Sequence, residues 1–258
     1  MSALETAKFF RERHLAGNVP DYEDVLAFSY RKFLKPGMAV LDIGAHAGRH
    51  TAQFLQIVGP EGFVWAFEPI PVFFQKLRND FRSNKNIEII QAALSQKAGS
   101  ATFKYVENYP GESGLRERVY NFENPIIKDI VVNVTTLDAF FRNEKRKVDF
   151  VKIDVEGAEI DILRSGPAFI EKNRPIISIE YGSPSYAPYG NEKATLFDLA
   201  QQYNYLLGDL FGNLVTSREE WQEVCDLAYW DYFMTPSEKA DEWRALFGDT
   251  EFPADFPV

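Results

Sequence analysis

Cysteine and histidine are scarce in this 258-residue sequence, which has one cysteine, Cys225, and three histidines. A single cysteine cannot form an internal disulfide bond, so the sequence argues against a disulfide-stabilised secreted scaffold. Long apolar runs are also missing, and residues 1–14 are charged throughout, without the apolar core of a signal peptide. We therefore expect a protein without a membrane span that works in the cytoplasm.

Basic residues are fewer than acidic ones, with 28 Lys and Arg against 38 Asp and Glu and a formal net charge of −10. This balance argues against a protein that clamps nucleic acid or an anionic membrane by bulk charge. A small molecule or a glycan is the partner we expect, and a homo-oligomer remains possible.

The first functional signal is a glycine turn between a strand and a helix. Residues 38–43 form a short apolar run typical of a buried parallel strand, and a helical pattern begins near Arg49. Between them lies Gly44-Ala45-His46-Ala47-Gly48, where small residues and free N–H groups could receive a nucleotide-like ligand. His46 replaces the second glycine of the dinucleotide fingerprint, so a dinucleotide fits poorly.

Three later strands carry acidic residues at or just past their carboxyl ends. The apolar run 62–67 ends at Glu68, about 20 positions after the glycine turn, where a carboxylate can bind both hydroxyls of a ribose. The run 148–153 precedes Asp154 and Glu156, and the run 174–181 contains Glu180 near its end. Because ligands bind outside the carboxyl ends of strands in open α/β sheets, we expect these carboxylates to meet at one site.

Four stretches together carry a resemblance to a known family: LDIGAHAGRHT, VWAFEPIPVFFQKLRND, VTTLDAF and VDFVKIDVEGAEIDIL. They are similar to the FkbM family of S-adenosylmethionine-dependent methyltransferases, over about residues 37–235. The resemblance implies an α/β fold, the class I methyltransferase Rossmann-like sheet. That sheet is mostly parallel with an antiparallel last strand and has helices on both faces.

The expected organisation is a single methyltransferase domain over residues 1–258, the simplest count at this length. Residues 1–35 would form an N-terminal helical extension, with helices at 3–16 and 22–34. Residues 36–235 would form the Rossmann-like core, and residues 236–258 a tail.

The resemblance also implies site residues. The cofactor-binding residues would be Asp42, Gly44, His46, Gly48, Thr51, Glu68, Ala93 and Asp154. Thr51 and the amides after Gly48 would approach the methionine end, whose carboxylate suits a helix N-terminus. Glu68 would hold the ribose hydroxyls, and Ala93 would pack on the adenine ring.

Methyl transfer to an alcohol needs an aligned acceptor and benefits from a general base. The candidates for catalysis are Glu156, Asp154 and Glu180, and His46 is a weaker candidate for the base. Asp154 could instead bind the methionine amine. These carboxylates could also hold a divalent ion such as Mg²⁺, but no local spacing requires one and the metal stays unassigned.

The expected function is therefore S-adenosylmethionine-dependent O-methyl transfer to a hydroxyl of a sugar, a glycan or a secondary metabolite. A non-catalytic cofactor-binding or scaffold protein is the main alternative, and an NAD-dependent oxidoreductase is less favoured. A nucleic-acid methyltransferase would usually carry a D/N-P-P-Y-type motif where this chain has Asp154-Val155-Glu156-Gly157.

The sequence also predicts further strands and two irregular segments. We predict a third strand over 87–94, an edge strand over 99–105 and a further strand over 130–134. Residues 106–128 and 182–191 are irregular segments that could line an acceptor pocket. Arg116 and Arg118 in the first of them could bind the acceptor, although solvated charge is the simpler interpretation for each.

The last strand is predicted over 229–234. Four aromatic residues in the tail need a surface to pack on: Trp243, Phe247, Phe252 and Phe256.

Overall fold

The computed structural model describes residues 1–248, and the last residues of the predicted tail, including Phe252 and Phe256, lie outside the described range. Two helices come first, as predicted. α1 (Ala3–Leu15) begins with a reciprocal cap between Ser2 and Glu5, and α2 (Tyr22–Tyr30) begins at Asp21, whose carboxylate accepts two backbone N–H groups. α2 is shorter than predicted because the chain turns over residues 31–33.

The strands and the remaining helices alternate along the chain. The strands are β1 (Ala39–Ile43), β2 (Phe63–Phe67), β3 (Ile87–Ile90), β4 (Ala93–Leu94), β5 (Gly99–Val106), β6 (Ile127–Thr135), β7 (Phe150–Ile153), β8 (Ile176–Glu180), β9 (Tyr205–Asp209) and β10 (Asp231–Pro236). The helices are α3 (Arg49–Val58), α4 (Pro71–Asp80), α5 (Leu137–Phe140), α6 (Glu159–Arg164), α7 (Pro167–Asn173), α8 (Ser183–Tyr186), α9 (Lys193–Gln202), α10 (Arg218–Val224) and α11 (Ala240–Phe247).

Seven strands form the main sheet in the order β3-β2-β1-β7-β8-β10-β9. Neighbouring strands from β3 to β8 are parallel, whereas β10 is antiparallel to both β8 and β9. β2 and β3 are added on one side of β1, and β7 and β8 are added later on its other side. Right-handed crossovers in the two directions place their helices on opposite faces. The predicted mostly parallel sheet with an antiparallel last strand is therefore confirmed.

A second, three-stranded sheet in the order β4-β6-β5 was not predicted. The prediction of one continuous strand over 87–94 is wrong, because the main-sheet strand ends at Ile90 and residues 93–94 pair with β6 instead. Ala93 leaves the main sheet because it packs in a separate apolar cluster with Phe103 and Val134. The predicted strand over 99–105 exists as β5, but it pairs antiparallel with β6 and not with the main sheet.

Both irregular segments contain short ordered pieces. Residues 107–126 connect β5 to β6 and include a single 3₁₀ turn, Pro110–Glu112. Residues 182–191 include α8 and a second 3₁₀ turn, Ala187–Tyr189, so the prediction of a wholly irregular segment is wrong there. Gly182 marks the entry to α8, where a side chain would collide with the ring of Trp230.

The N-terminal helices and the described part of the tail share one core with the sheet. Phe33, just after α2, packs on Phe150 of β7, Phe233 of β10 and Trp243 of α11. Trp243 and Phe247 are both buried, so these two tail aromatics pack on a surface of this chain. No helix among residues 1–248 is long and apolar enough to cross a membrane.

Candidate active site

The glycine turn after β1 owes its composition first to packing. Gly44 has φ of +85°, and a Cβ there would lie 1.8 Å from the carbonyl oxygen of Asp154. Gly48 has φ of +88°, and a Cβ there would lie 2.8 Å from Leu77 of α4. Both positions favour glycine because L side chains rarely adopt this backbone conformation. The turn thus brings β1, β7 and α4 into close contact beside a cavity.

Glu68 lies at the carboxyl end of β2 and its side chain is held by backbone groups. Its Oε2 accepts the N–H of His46 at 2.8 Å, and its Oε1 accepts the N–H of Ile70 at 2.7 Å. Burial raises the pKa of Glu68 to about 7, even though these two hydrogen bonds favour the ionised form. A carboxylate has about four acceptor positions, so Glu68 can still accept hydrogen bonds from two hydroxyl groups.

His46 forms one wall of the turn. It is a non-glycine residue with φ of +45°, and its ring lies 4.0 Å from the ring of Phe73, centroid to centroid. Its Nε2 is buried and has no hydrogen-bond partner within residues 1–248. Burial lowers the pKa of His46, so the neutral imidazole predominates near pH 7.

A cavity of about 700 Å³, counted with its open mouth, lies at the carboxyl ends of β1, β2 and β7. Its apolar wall includes Ile43, Phe67, Ile70, Ala92, Ala93, Leu94, Phe103 and Leu115. Its polar side chains are His46, Glu68, Ser113, Asp154 and Glu156. The loop between β5 and β6 contributes Pro110, Gly111, Ser113 and Leu115, so the second sheet and its loop cover the site.

The predicted site residues divide into two groups by position. Those that line the cavity are Gly44, His46, Glu68, Ala93, Asp154 and Glu156. Asp42, Gly48, Thr51 and Glu180 lie outside its lining. Thr51 donates its hydroxyl to Asp42 Oδ2 at 2.5 Å, and both side chains are buried behind the turn. Burial raises the pKa of Asp42. This buried hydrogen bond between Asp42 and Thr51 therefore links the end of β1 to the first turn of α3.

Three carboxylates converge at the edge of the cavity, as the acid-tipped strands suggested. Single oxygens of Asp154, Glu156 and Glu180 lie within 4.8 Å of one another. Burial raises the pKa of Glu156 well above its ordinary value, although the charge of Arg118 opposes this. Burial and the neighbouring charge of Glu156 likewise raise the pKa of Glu180, whose Oε2 is buried without a partner among the described residues.

Cations already neutralise two of these carboxylates. Arg118 forms ion pairs with Glu156 and with Glu112, and its side chain is 3% exposed. Lys152 donates to Asp154 Oδ2 at 2.7 Å. The spacing of the three carboxylates could accommodate a divalent cation, but their existing partners leave it fewer free oxygens. We assign no metal to the cluster, and a metal requirement stays a prediction.

The structure changes the interpretation of Arg118. Solvated charge was the simpler expectation, but Arg118 is buried between the loop and the carboxylates. Arg116 does remain exposed, with its guanidinium 4.8 Å above the ring of Tyr189. Nothing in the local pattern distinguishes the two arginines, because the burial of Arg118 depends on how the loop folds over β7 and β8.

A buried polar network behind the site was also missed. Glu23 of α2 contacts His50 Nε2, and the hydroxyl of Tyr30 lies 3.0 Å from His50 Nδ1. Lys152 of β7 is 3% exposed in an otherwise apolar strand. A lysine inside the run FVKI was a signal available in the sequence, since a buried charge requires a partner.

Comparison with known proteins shows the family of the chain. The sheet order, with its antiparallel strand, together with a carboxylate at the tip of β2, defines the class I methyltransferase fold. A family model for the methyltransferase FkbM domain matches residues 42–207, which is more than half of the chain. The chain belongs to the FkbM methyltransferase family.

Individual relatives are more distant. The chain is 25% identical over 153 residues to methyltransferase sdnD of Sordaria araneosa, covering 48% of this chain and 59% of that protein. It is 27% identical over 163 residues to 2-O-methyltransferase NoeI of Sinorhizobium fredii, covering 57% of this chain and 64% of that protein. The chain thus spans about three fifths of the length of these relatives.

One solved structure among those similar to this chain is a methyltransferase FkbM from Methylobacillus flagellatus KT. It is 16% identical, has a TM-score of 0.48, and the match covers 76% of this chain and 43% of that chain.

Proposed function

We propose that this protein is an S-adenosylmethionine-dependent O-methyltransferase that acts on a hydroxyl group of a small molecule, a sugar or a glycan. The observation that carries the proposal is the position of Glu68, at the tip of β2 and inside a cavity that also contains Ala93. A diol-binding carboxylate next to a flat apolar wall suits the adenosine part of the cofactor. Membership of the FkbM methyltransferase family supports the same assignment.

In the proposed arrangement the adenine ring packs between the apolar residues around Ala93, and the ribose hydroxyls donate to Glu68. The methionine part then extends past Gly44 toward Asp154, both of which line the cavity. The ammonium and sulfonium groups of the cofactor are positively charged, and the carboxylates of Asp154 and Glu156 favour cations at this end. The free N–H groups at the start of α3 suit the methionine carboxylate.

Methyl transfer itself requires an acceptor oxygen aligned with the sulfonium and a route for its proton. We propose Glu156 as the leading candidate for the base, because it lines the cavity whereas Glu180 does not. A carboxyl group with a raised pKa is better matched to proton transfer near pH 7 than an ordinary one. Asp154 is then left to bind the cofactor ammonium group, and Glu180 supports the cluster.

An NAD-dependent oxidoreductase is less well supported. The side chain of His46 stands where a dinucleotide site needs a glycine, and its ring is packed on Phe73. The net charge of −10 argues against bulk nucleic-acid binding, so we also propose a small-molecule or glycan acceptor over a nucleic acid. The single buried Cys225 suits a reducing compartment such as the cytoplasm.

The test is calorimetric titration with S-adenosylmethionine and, separately, with NAD. We expect the cofactor to bind, NAD not to bind, and Glu68→Ala to weaken cofactor binding by about ten- to a hundredfold, as for lost hydrogen bonds to a charged group. Glu61→Ala is the matched control, since Glu61 is exposed in the turn before β2. Binding of NAD alone would favour the oxidoreductase. Absence of any binding would favour a scaffold protein.

Catalysis is tested next with hydroxyl acceptors, with and without Mg²⁺. Transfer of a labelled methyl group to an oxygen would support the proposal, and loss of transfer in Glu156→Gln with cofactor affinity kept would support its role as base. Cofactor binding without transfer to any acceptor in a broad panel of sugars and phenols would favour the non-catalytic alternative.

A further inference from the structure

Lys152 is a charged side chain in the middle of the sheet. It lies on β7, between two apolar neighbours, and is 3% exposed. Burying a lysine is costly unless its charge is compensated, and a buried ion pair is often no more stabilising than apolar residues of similar volume. Stability alone therefore does not account for a lysine at this position.

Lys152 contacts Asp154, which lines the cavity. Asp154 follows Lys152 by two positions, just past the end of β7. In an extended chain, residues two positions apart point to the same face of the sheet. The Nζ of Lys152 donates to Asp154 Oδ2 at 2.7 Å. The side chain of Asp154 is 26% exposed against 3% for Lys152, so the carboxylate reaches the open side of the pair.

The charge of Lys152 is balanced from two further elements. Asp42 of β1 is the direct strand neighbour of Lys152, and Glu23 of α2 approaches it from the N-terminal extension. Although burial opposes it, the carboxylates of Asp154, Glu23 and Asp42 raise the pKa of Lys152 above its ordinary value. Lys152 therefore stays charged without presenting a net positive charge to a ligand.

Asp154 uses one of its two carboxylate oxygens in the contact with Lys152. Its Oδ2 is occupied by Lys152, whereas its Oδ1 accepts no hydrogen bond from residues 1–248. Asp154 lines the same cavity as Glu68 and Gly44. A carboxylate fixed by one oxygen offers the other in a defined direction, which suits a single ammonium group.

We propose that Lys152 is a positioning residue, whose buried ammonium group holds Asp154 in the orientation that binds the ammonium group of S-adenosylmethionine. This inference rests on the proposed function. Lys152 does not touch the cofactor, so its whole effect passes through Asp154. The N-terminal extension takes part as well, because Glu23 is one of the residues that balance Lys152.

The experiment compares two ligands that share the adenosine part. S-Adenosylmethionine carries the ammonium group, whereas 5′-methylthioadenosine lacks the whole amino-acid part. The readout is the ratio of the two dissociation constants, measured by calorimetry. A general disturbance of the site would weaken both ligands and leave the ratio unchanged. A loss confined to the amino-acid end would lower the preference for S-adenosylmethionine.

We expect Lys152→Met to reduce this preference by fivefold or more, with little change in 5′-methylthioadenosine affinity. Asp154→Asn should reduce it at least as much. The double variant should be no worse than Asp154→Asn within twofold, because Lys152 acts only through Asp154. Lys147→Met is the matched control, since Lys147 is exposed and lies 3.7 Å from Asp149 just before β7.

Each result decides between outcomes. A preference unchanged within twofold in Lys152→Met, or losses that multiply in the double variant, would overturn the inference. If Lys152→Met fails to fold by circular dichroism, Lys152→Gln is measured in the same way and should show a smaller loss, because the amide can still donate to Asp154. Failure of the wild-type protein to bind S-adenosylmethionine would instead refute the proposed function.

Discussion

Glu68 illustrates how the surroundings of one side chain set its chemistry. An acidic residue at the end of a strand would ordinarily be ionised at pH 7, but burial raises the pKa of Glu68 to about 7. The backbone N–H groups of His46 and Ile70 fix the direction of both oxygens. The same carboxyl group is therefore oriented for ligand binding and half protonated near neutral pH.

Cofactor affinity should depend on pH through Glu68. Ribose hydroxyls donate to the ionised form, so we expect S-adenosylmethionine to bind about tenfold more tightly at pH 8 than at pH 6, as titration of one group near pH 7 requires. Glu68→Gln should bind more weakly and lose this pH dependence. Calorimetric titrations at five pH values would measure both. An equal slope in the wild type and in Glu68→Gln would contradict the prediction.

A second prediction at the residue scale concerns Gly44. Gly44→Ala adds a Cβ 1.8 Å from the carbonyl oxygen of Asp154 at a φ of +85°. We expect a loss of about 3 kcal/mol or more in the free energy of unfolding, measured by urea denaturation, because strain and collision add. Gly17→Ala has a similar φ of +81° but open space around it, so it separates the two causes. Equal losses in both variants would show that the collision of the added Cβ with Asp154 does not lower the free energy of unfolding.

At the scale of elements, a buried ion pair ties the loop over residues 107–126 to the end of β7. Arg118 is buried against Glu156, which follows β7 and has a φ of +61° although it is not a glycine. Such a backbone conformation persists only where its surroundings determine it. Ser185 of α8 also donates to Glu156 Oε2 at 3.1 Å. Glu156 therefore joins the loop, the sheet and the segment 182–191.

Removal of Arg118 should loosen this loop. We expect Arg118→Met to leave a buried carboxyl group without its partner, lowering stability by about 3 kcal/mol and speeding hydrogen exchange of backbone amides over residues 113–120. Arg116→Met is the control, because Arg116 is exposed and should cost less than about 1 kcal/mol. Hydrogen exchange with mass spectrometry would compare the two. Similar exchange in both variants would show that the ion pair does not hold the loop.

At the scale of the whole molecule, buried acidic groups make stability depend on pH. Burial raises the pKa of Glu68 and Glu159 to about 7 and that of Asp209 to about 6. Between about pH 4.5 and 7 the folded protein therefore binds more protons than the unfolded chain, and its stability falls as the pH rises. The pKa values of Glu23 and Glu238 are lowered to about 2, so these two groups change the stability only below this pH range.

We accordingly expect the melting temperature without ligand to fall by about 5 °C or more between pH 5.5 and pH 8, given roughly 1.4 kcal/mol per pKa unit. Glu159→Gln should reduce this fall because an amide does not titrate. Its oxygen can still accept the N–H of Gly157, which Glu159 accepts at 2.8 Å. Differential scanning calorimetry would measure the effect. A melting temperature that rises across this range would contradict the assigned pKa shifts.

The domain organisation gives another prediction at this scale. The extension, the sheet and α11 meet in one apolar core around Phe33, Phe150 and Trp243. We propose that residues 1–35 and the Rossmann-like core form one folding unit, and we expect a single calorimetric transition. Two separate transitions, one of which is lost when residues 1–35 are deleted, would show that the extension folds apart.

The sequence by itself determined the parallel strands of the main sheet and the positions of the polar residues at their ends. Apolar runs of strand length followed by Gly44, Glu68 and Asp154 identify parallel strands and their carboxyl ends, because strand period and turn chemistry are local properties. The motifs around these residues were also enough to place the chain in the FkbM methyltransferase family.

Only the tertiary structure decided which side chains meet. Ala93 leaves the third strand for a second sheet because its apolar neighbours, Phe103 and Val134, come from later in the chain. The burial of Arg118 and the balance around Lys152 depend on contacts between residues 30 to 130 positions apart, which no local pattern encodes. Periodicity fixes which way a side chain points, whereas its partner is set by how distant elements pack.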